Sequence, residues 1–281
     1  MGVKLAKGSL FAIGVTLVWA VSAVASISLR DEGGAVLLMW LPSAVAVCAL
    51  YVAKPGERLA VILALALGNV LLNFWLDIGP VDSLGYVVAN LAEPVLIVAI
   101  AHRVIGRRKL EALRLSDMML LFMGVLLGSV SSAVIALPFR PHQDLVQFVW
   151  WILATTLGTT IGAPVMLSLH DWLRRRRENE APASEKLPVW FGISMLTMFL
   201  LSWLILGFSL VSLGAVVVFA LVLVVTRYGQ MGASTGILMF GLAGTLRSVG
   251  GHTPAAYLDF APFEAGINLQ LLMLLMMASS L

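Results

Sequence analysis

Charge is scarce in this chain of 281 residues: Asp, Glu, Lys and Arg make up 12%, against 60% hydrophobic residues. The mean hydropathy is +0.99, a balance that excludes an ordinary water-soluble domain. There is one cysteine, Cys48. That excludes an intrachain disulfide, a CxxC redox pair and a cysteine cluster for a metal; lying in an apolar run, Cys48 reads as a small packed side chain. The HExxH, P-loop and dinucleotide glycine patterns are also missing from the sequence. No catalytic residue, metal site or cofactor is therefore expected, and the chain does not read as an enzyme.

What is present is a series of apolar segments. A hydrocarbon core ~30 Å thick needs about 20 mostly apolar residues per helix. Apolar length and loop charge together predict ten membrane segments, at 8–29, 35–53, 59–76, 84–105, 118–137, 146–172, 188–206, 209–226, 231–248 and 266–281. The expected fold is all-α, a polytopic membrane helix bundle of eight to ten spans forming a single domain over residues 1–281. The seventh and eighth segments, separated only around Gly207 and Phe208, are either a tight hairpin or one broken helix. The first segment follows Lys4 and Lys7 like a signal peptide, but its 22 residues are long for that role.

Basic residues are arranged on one side. Of the 18 Lys and Arg residues, only Arg30, Arg140 and Arg247 fall at the boundaries opposite the N-terminus. Lys54 and Arg58, the group from Arg107 to Arg114, Arg174 to Arg177 with Lys186, and Arg227 all fall on the N-terminal side. This positive-inside pattern predicts both termini in the cytoplasm. The net charge of +3 and pI near 9.2 thus point to a lipid bilayer as partner and not to nucleic acid. The linker from 173 to 187 reads as a solvated, lipid-facing stretch.

Glu93 is the one acid in the middle of a span, about nine residues into the fourth segment and so ~14 Å deep. A carboxyl at that depth must face protein or a wet cavity. Asn90 lies one turn earlier, Pro94 follows directly, and Asn69 and Asn73 are spaced i,i+4 in the third segment. These four polar side chains are expected to meet across the third and fourth helices. They read as a packing network, a ligand- or ion-sensing pocket, or a proton relay, the last weakened by the absence of a second buried acid.

Trp40, Pro42 and Ser43 lie in the outer half of the second segment, where Pro42 should kink the helix and expose carbonyls. Trp150, Trp151, Thr155, Thr156, Thr159 and Thr160 lie at similar depth in the sixth, with Gly158 and Gly162 spaced for close contact. They fit helix packing or an outer-leaflet pocket of aromatics and hydroxyls. Arg247, near the outer end of the ninth segment, either snorkels to the surface or turns inward as a counter-charge for Glu93 or an anionic ligand. Gln270 is the polar amide of the last segment. The string Gly232-Ala233-Ser234-Thr235-Gly236 matches GxSxG of serine hydrolases, but it opens an apolar helix where that motif needs a strand-to-helix elbow. Small residues for helix packing explain it better.

Several strings occur together and in order: Trp40-Leu41-Pro42-Ser43, Gly68-Asn69, Asn90-Leu91-Ala92-Glu93-Pro94, Trp150-Trp151, Leu157-Gly158, Ala163-Pro164, Arg227-Tyr228-Gly229 and Leu269-Gln270. In them the chain resembles the first class of MASE domains, the membrane-associated sensor domains of bacterial histidine kinases and cyclic-di-GMP enzymes. Thr155 departs from the pattern, standing where the family often has an acid. The resemblance implies a multi-pass sensor of the bacterial inner membrane, pairing as a homodimer. An unknown small-molecule, lipid or protein signal would bind in the outer half, with Glu93, Asn90, Asn69, Asn73, Trp40, Pro42, Trp151, Thr155, Arg247 and Gln270 as candidate contacts. A cytoplasmic kinase or cyclic-di-GMP output domain is expected after residue 281; the last segment, 16 residues or ~24 Å as a helix, is short of a full crossing. The rival readings are a small-solute or proton-coupled transporter or channel, and a structural anchor that recruits partners.

Overall fold

The structure is a computed structural model, and it describes residues 2–28, 37, 39–105, 115–139, 145–177, 189–207, 214–249 and 270. In chain order the helices are α1 (Gly2–Ser28), α2 (Pro42–Val52), α3 (Arg58–Trp75), α4 (Pro80–Ile105), α5 (Leu115–Ala136), α6 (Leu145–Arg177), α7 (Val189–Gly207) and α8 (Gly214–Val249), with a 3-10 turn at Leu137–Phe139 after α5. Among the described residues six helices are long and apolar enough to cross a membrane: Gly8–Ser28, Arg58–Trp75, Pro80–Ile105, Met119–Phe139, Gln147–Asp171 and Val189–Leu206. The protein is a helical membrane bundle.

The side chains are distributed as a bilayer demands. Along α3, Asn69 is 1% exposed whereas Phe74 is 80% exposed, with Leu59, Leu63, Leu67 and Leu71 also facing outward. Water would select the opposite arrangement, since a long apolar stripe facing solvent is unfavourable. In hydrocarbon the amides must instead turn inward to find partners.

The described residues group into two compact units. The first holds α1 to α4, α5 from Ser116 onward, and residues 145–160 of α6. Its central element is α2, which packs against α1, α3 and α4. Every residue from Pro42 to Leu50 is buried, so α2 is apolar on all sides, as a helix enclosed by other helices must be.

The second segment departs from the expected helix at 35–53. α2 has only 11 residues, or ~17 Å, too short to cross a ~30 Å core. Pro42 does not kink this helix; it begins it, at a position where a missing N–H costs nothing because the first-turn amides have no intrahelical acceptor. Trp40, one residue before the Leu41 cap, gives its N–H to the Ala154 carbonyl of α6 at 2.8 Å. Its donor is thereby used outside any helical ladder. Residues 35, 36 and 38 of the expected segment lie outside the described residues.

α3 and α4 are joined by a tight turn in which Asp77 takes φ 56° and Ile78 N–H bonds the Asn73 carbonyl at 3.0 Å. This is the left-handed close with which many helices end.

The second unit holds residues 161–177 of α6 together with α7 and α8. α7 buries Met195, Met198, Ser202 and Ile205, a helical stripe on a helix that packs against α8. α8 is a hairpin of two arms, 214–228 and 230–249, reversing at Gly229, whose φ 58° and ψ −145° no other residue adopts readily. Leu221 and Gly236 would lie roughly 22 Å apart along a straight helix. Instead a Cβ at 236 would sit 2.7 Å from Leu221 Cδ1, and one at 232 only 2.6 Å from the Val224 carbonyl. The reversal matches the boundary expected between the segments 209–226 and 231–248. Of the remaining expectations, residues 209–213 and, apart from Gln270, the segment 266–281 lie outside the described residues, as do Arg30, Arg107 to Arg114, Arg140 and Lys186.

Candidate functional site

Glu93 lies 13 residues into α4, ~20 Å along a helix of ~39 Å. Its carboxyl is fully buried. Three hydroxyls from three other helices converge on it. Ser43 Oγ of α2 donates to Oε2 at 2.7 Å, while Thr159 Oγ1 of α6 and Ser129 Oγ of α5 donate to Oε1 at 3.1 and 3.4 Å. The carboxyl therefore joins four helices at one point.

Local chemistry makes this possible. Ser43 is in the first turn of α2, so the carboxyl sits at a helix N-terminus, where free amides and the helix dipole favour negative charge by ~0.3–1 kcal/mol or more. Gly128 of α5 opens the approach from that side: a Cβ there would be 3.2 Å from both Cγ and the carbonyl oxygen of Glu93. Removing a carboxylate from water costs several kcal/mol. Three hydrogen bonds to a charged group, at ~1.5–3 kcal/mol each, offset a cost of that size. Since hydroxyls both donate and accept, the cage also holds a protonated Glu93 when one hydroxyl rotates.

The expected meeting across the third and fourth helices holds for Asn90 with Asn69, while Asn73 takes a separate partner on α4 and Glu93 turns to the hydroxyls. Asn90 Nδ2 donates to Asn69 Oδ1 at 2.8 Å, and Asn69 Nδ2 in turn to its own helix at the Leu65 carbonyl. Asn73 Nδ2 bonds Ser83 at the start of α4, at 3.3 Å to the carbonyl and 3.1 Å to Oγ. Asn90 and Glu93 are one turn apart but not superposed, being ~300° around the helix at 100° per residue. Asn90 meets α3, whereas Glu93 meets α2, α5 and α6. Ser129 has no place among the sequence-derived candidates, and Ser43 and Thr159 figure there only as neighbours of Trp40 and Trp151. The signal for Ser129 was its depth: it lies halfway along the fifth apolar segment, level with a buried acid that needed donors.

The other candidates fall in distinct places. Trp40 stands edge-on to Trp19, with ring centroids 6.4 Å apart, and its backbone lies directly against Gly158 of α6, where any Cβ would collide with it. Pro42 is buried beside Ser43. Trp151 donates its Nε1–H to Ser132 Oγ at 3.0 Å and stacks on Tyr86 at 5.9 Å. Thr155 returns its hydroxyl to the Trp151 carbonyl at 2.6 Å, as threonines in apolar helices often do. Arg247 packs on Trp203 of α7. Its guanidinium lies 4.3 Å from the centroid of the Trp203 ring and its Nε–H bonds the Trp203 carbonyl at 3.2 Å, a cation-π contact. Gln270 is buried and gives its amide N–H to the Leu37 carbonyl at 3.0 Å.

Ser234 of the GxSxG string is buried on a helix, and Gly232 and Gly236 face the first arm of α8. The string serves the hairpin. His102 accepts a hydrogen bond from Arg58 Nη2 at 2.7 Å and stacks on Tyr51. Arginine has no lone pair to offer, so Nε2 of His102 is the acceptor and the proton is on Nδ1. No cluster of metal-ligating side chains occurs among the described residues. Set against known proteins, the chain matches no family model, no curated protein and no solved structure.

Proposed function

We propose that this chain is a membrane-embedded sensory module of a bacterial inner-membrane signalling protein. It has both termini in the cytoplasm, and it passes a signal received in its outer half through the last helix to a kinase or cyclic-di-GMP output domain. The observation that carries this reading is the Glu93 cage. One carboxyl held by hydroxyls from three further helices makes the packing of four helices depend on a single polar centre. A ligand, lipid or partner that competes for those hydroxyls favours a different packing. Shifting a 1:99 equilibrium to 99:1 takes ~5.5 kcal/mol, and three bonds of ~1.5–3 kcal/mol each span that value. The likeness to first-class MASE domains, resting on the strings around Trp40, Glu93 and Trp150, supports the same reading and brings with it the homodimer expected of kinases and cyclases.

The test is to graft residues 1–281 onto a cyclase or kinase domain and compare the wild type with Glu93→Gln and Asn90→Ala. Glu93→Gln, which replaces one acceptor oxygen by a donor, is expected to change signal-dependent output at least fivefold with normal membrane insertion. Asn90→Ala, which removes only the α3 contact, should have the smaller effect. Output unchanged by either variant across a broad set of signals would leave Glu93 as a packing residue. Proton or solute flux in liposomes, lost on Glu93→Gln, would make the protein a transporter instead.

A further inference from the structure

Three helix ends of the first unit come together away from the Glu93 cage: the last turn of α2 with Tyr51, the first turn of α3 with Arg58, and the last turn of α4 with His102 and Arg103. Arg58 opens the span Arg58–Trp75, and His102 lies three residues from the end of the span Pro80–Ile105, or ~4.5 Å. The cluster is therefore at the depth of the lipid headgroups. Nine residues of α4, or ~14 Å, separate His102 from Glu93.

Arg58 is half-buried. Its Nε–H reaches the Ala53 carbonyl at 3.4 Å, and Nη2 donates to His102 Nε2 at 2.7 Å. Tyr51 stacks on the imidazole, with centroids 5.3 Å apart and planes 10° from parallel, and so steadies the acceptor. An imidazole nitrogen that accepts from arginine belongs to an uncharged ring, so both acceptors of Arg58 are neutral. No carboxylate reaches the guanidinium among the described residues; Glu57, its neighbour in the chain, has Oε2 on the Lys54 N–H at 3.3 Å. Lys54, three residues after Tyr51, and Arg103, next to His102, are exposed. With Arg58 they outnumber Glu57, and this end of the three helices is cationic.

A solvated arginine would need none of these contacts. Arg58 is instead drawn in against Ala53 and His102, its charge unmatched, where the phosphates of a bilayer lie. A phosphate oxygen is the stronger acceptor for a guanidinium, because charge then assists the bond from both sides and the planar fork can make two bonds at once. We infer that this cluster binds the phosphate of an anionic phospholipid such as phosphatidylglycerol, with Arg58 leaving His102 to take it. The occupant is a lipid because the turns of α3 that follow Arg58 turn Leu59 and Leu63 outward, which gives acyl chains an apolar surface directly below the headgroup. His102 is a positioning residue: it holds the guanidinium in place when the site is empty and competes with the headgroup when it fills. The site shares no side chain with the Glu93 cage and stands whether or not the chain is a sensor.

The test titrates the full chain, in a nonionic detergent, with phosphatidylglycerol, phosphatidylcholine and inorganic phosphate, reading bound ligand by native mass spectrometry and by the unfolding midpoint. Phosphatidylglycerol is expected to bind and to raise the midpoint. Phosphatidylcholine, whose headgroup carries its own cation, and inorganic phosphate, which has no acyl chains, should bind about tenfold more weakly or less. Arg58→Gln should weaken phosphatidylglycerol binding about tenfold or more, as loss of a hydrogen bond between charged groups does. Arg103→Gln should cost no more than about fivefold, the share of a basic residue that only stands near an anionic surface. His102→Phe, which keeps a ring against Tyr51 and removes the acceptor, should tighten binding about threefold, because Arg58 no longer has a neutral partner to leave. That opposite sign decides the matter even if Arg58→Gln folds poorly. Equal losses in Arg58→Gln and Arg103→Gln, weaker binding in His102→Phe, or inorganic phosphate binding as well as the lipid would each overturn the proposal.

Discussion

Glu93 and Gly128 form a matched pair of residues: the acid needs a donor from α5, and only a residue without a side chain lets α5 come close enough to supply Ser129. A Cβ at position 128 would stand 2.9 Å from Ile97 Cγ1 and 3.2 Å from Glu93 Cγ and its carbonyl oxygen. Gly128→Ala is therefore expected to destabilise the protein by ~1–3 kcal/mol, the usual cost of overpacking, seen as a lower thermal unfolding midpoint in detergent. Gly124→Ala is the control, since its nearest neighbours lie at 3.9 and 4.0 Å; it should be neutral or slightly stabilising, alanine being the better helix former. Equal losses in the two variants would show that the close approach at Glu93 is not special. Glu93 itself is legible in the sequence as an acid in an apolar run. Its partners are not, because Ser129, Ser43 and Thr159 lie 36, 50 and 66 residues away, and hydroxyls are common in apolar helices where most of them bond their own backbone.

Among the elements, the start of α2 and the bend in α8 show proline and glycine acting by position. Pro42 opens a helix because Trp40 has already committed its N–H to α6. Gly229 reverses α8 in a conformation open almost only to glycine. Gly229→Ala is expected to cost ~1–3 kcal/mol of backbone strain, with a lower unfolding midpoint and weakened packing of Phe191 and Ser194 against Tyr228, which flanks the turn. Gly192→Ala in α7, where a Cβ meets open space, should leave the midpoint unchanged or raise it slightly. An unperturbed Gly229→Ala would mean that the arms of α8 do not depend on this reversal. The turn itself is readable from Arg227-Tyr228-Gly229 between two apolar runs. The short length of α2 is not, since apolar composition alone continues smoothly from 35 to 53.

At the scale of the whole molecule, buried amides and outward leucines describe a protein in lipid, and the basic loops predict its direction. In a Cys48→Ala background, a cysteine replacing exposed Asp77, between α3 and α4, is expected to react with a membrane-impermeant maleimide in intact cells. One replacing exposed Lys54, between α2 and α3, should react only after lysis. The opposite pattern would invert the topology and move the termini outside. This prediction rests on Lys and Arg bias, a property of loops that needs no knowledge of how the helices pack.

The sequence by itself determined the solvent, the helical class, the run of long apolar segments and the acid in the middle of a span, because each follows from local composition measured against the thickness of a bilayer. Only the tertiary structure decided that α2 is an enclosed half-length helix, that Arg247 pairs with Trp203, and that Glu93 turns from the asparagines to three hydroxyls. Those outcomes depend on which backbone and side-chain groups reach one another across distant helices. In a medium that supplies no hydrogen bonds, each polar group takes the partner that packing brings within reach.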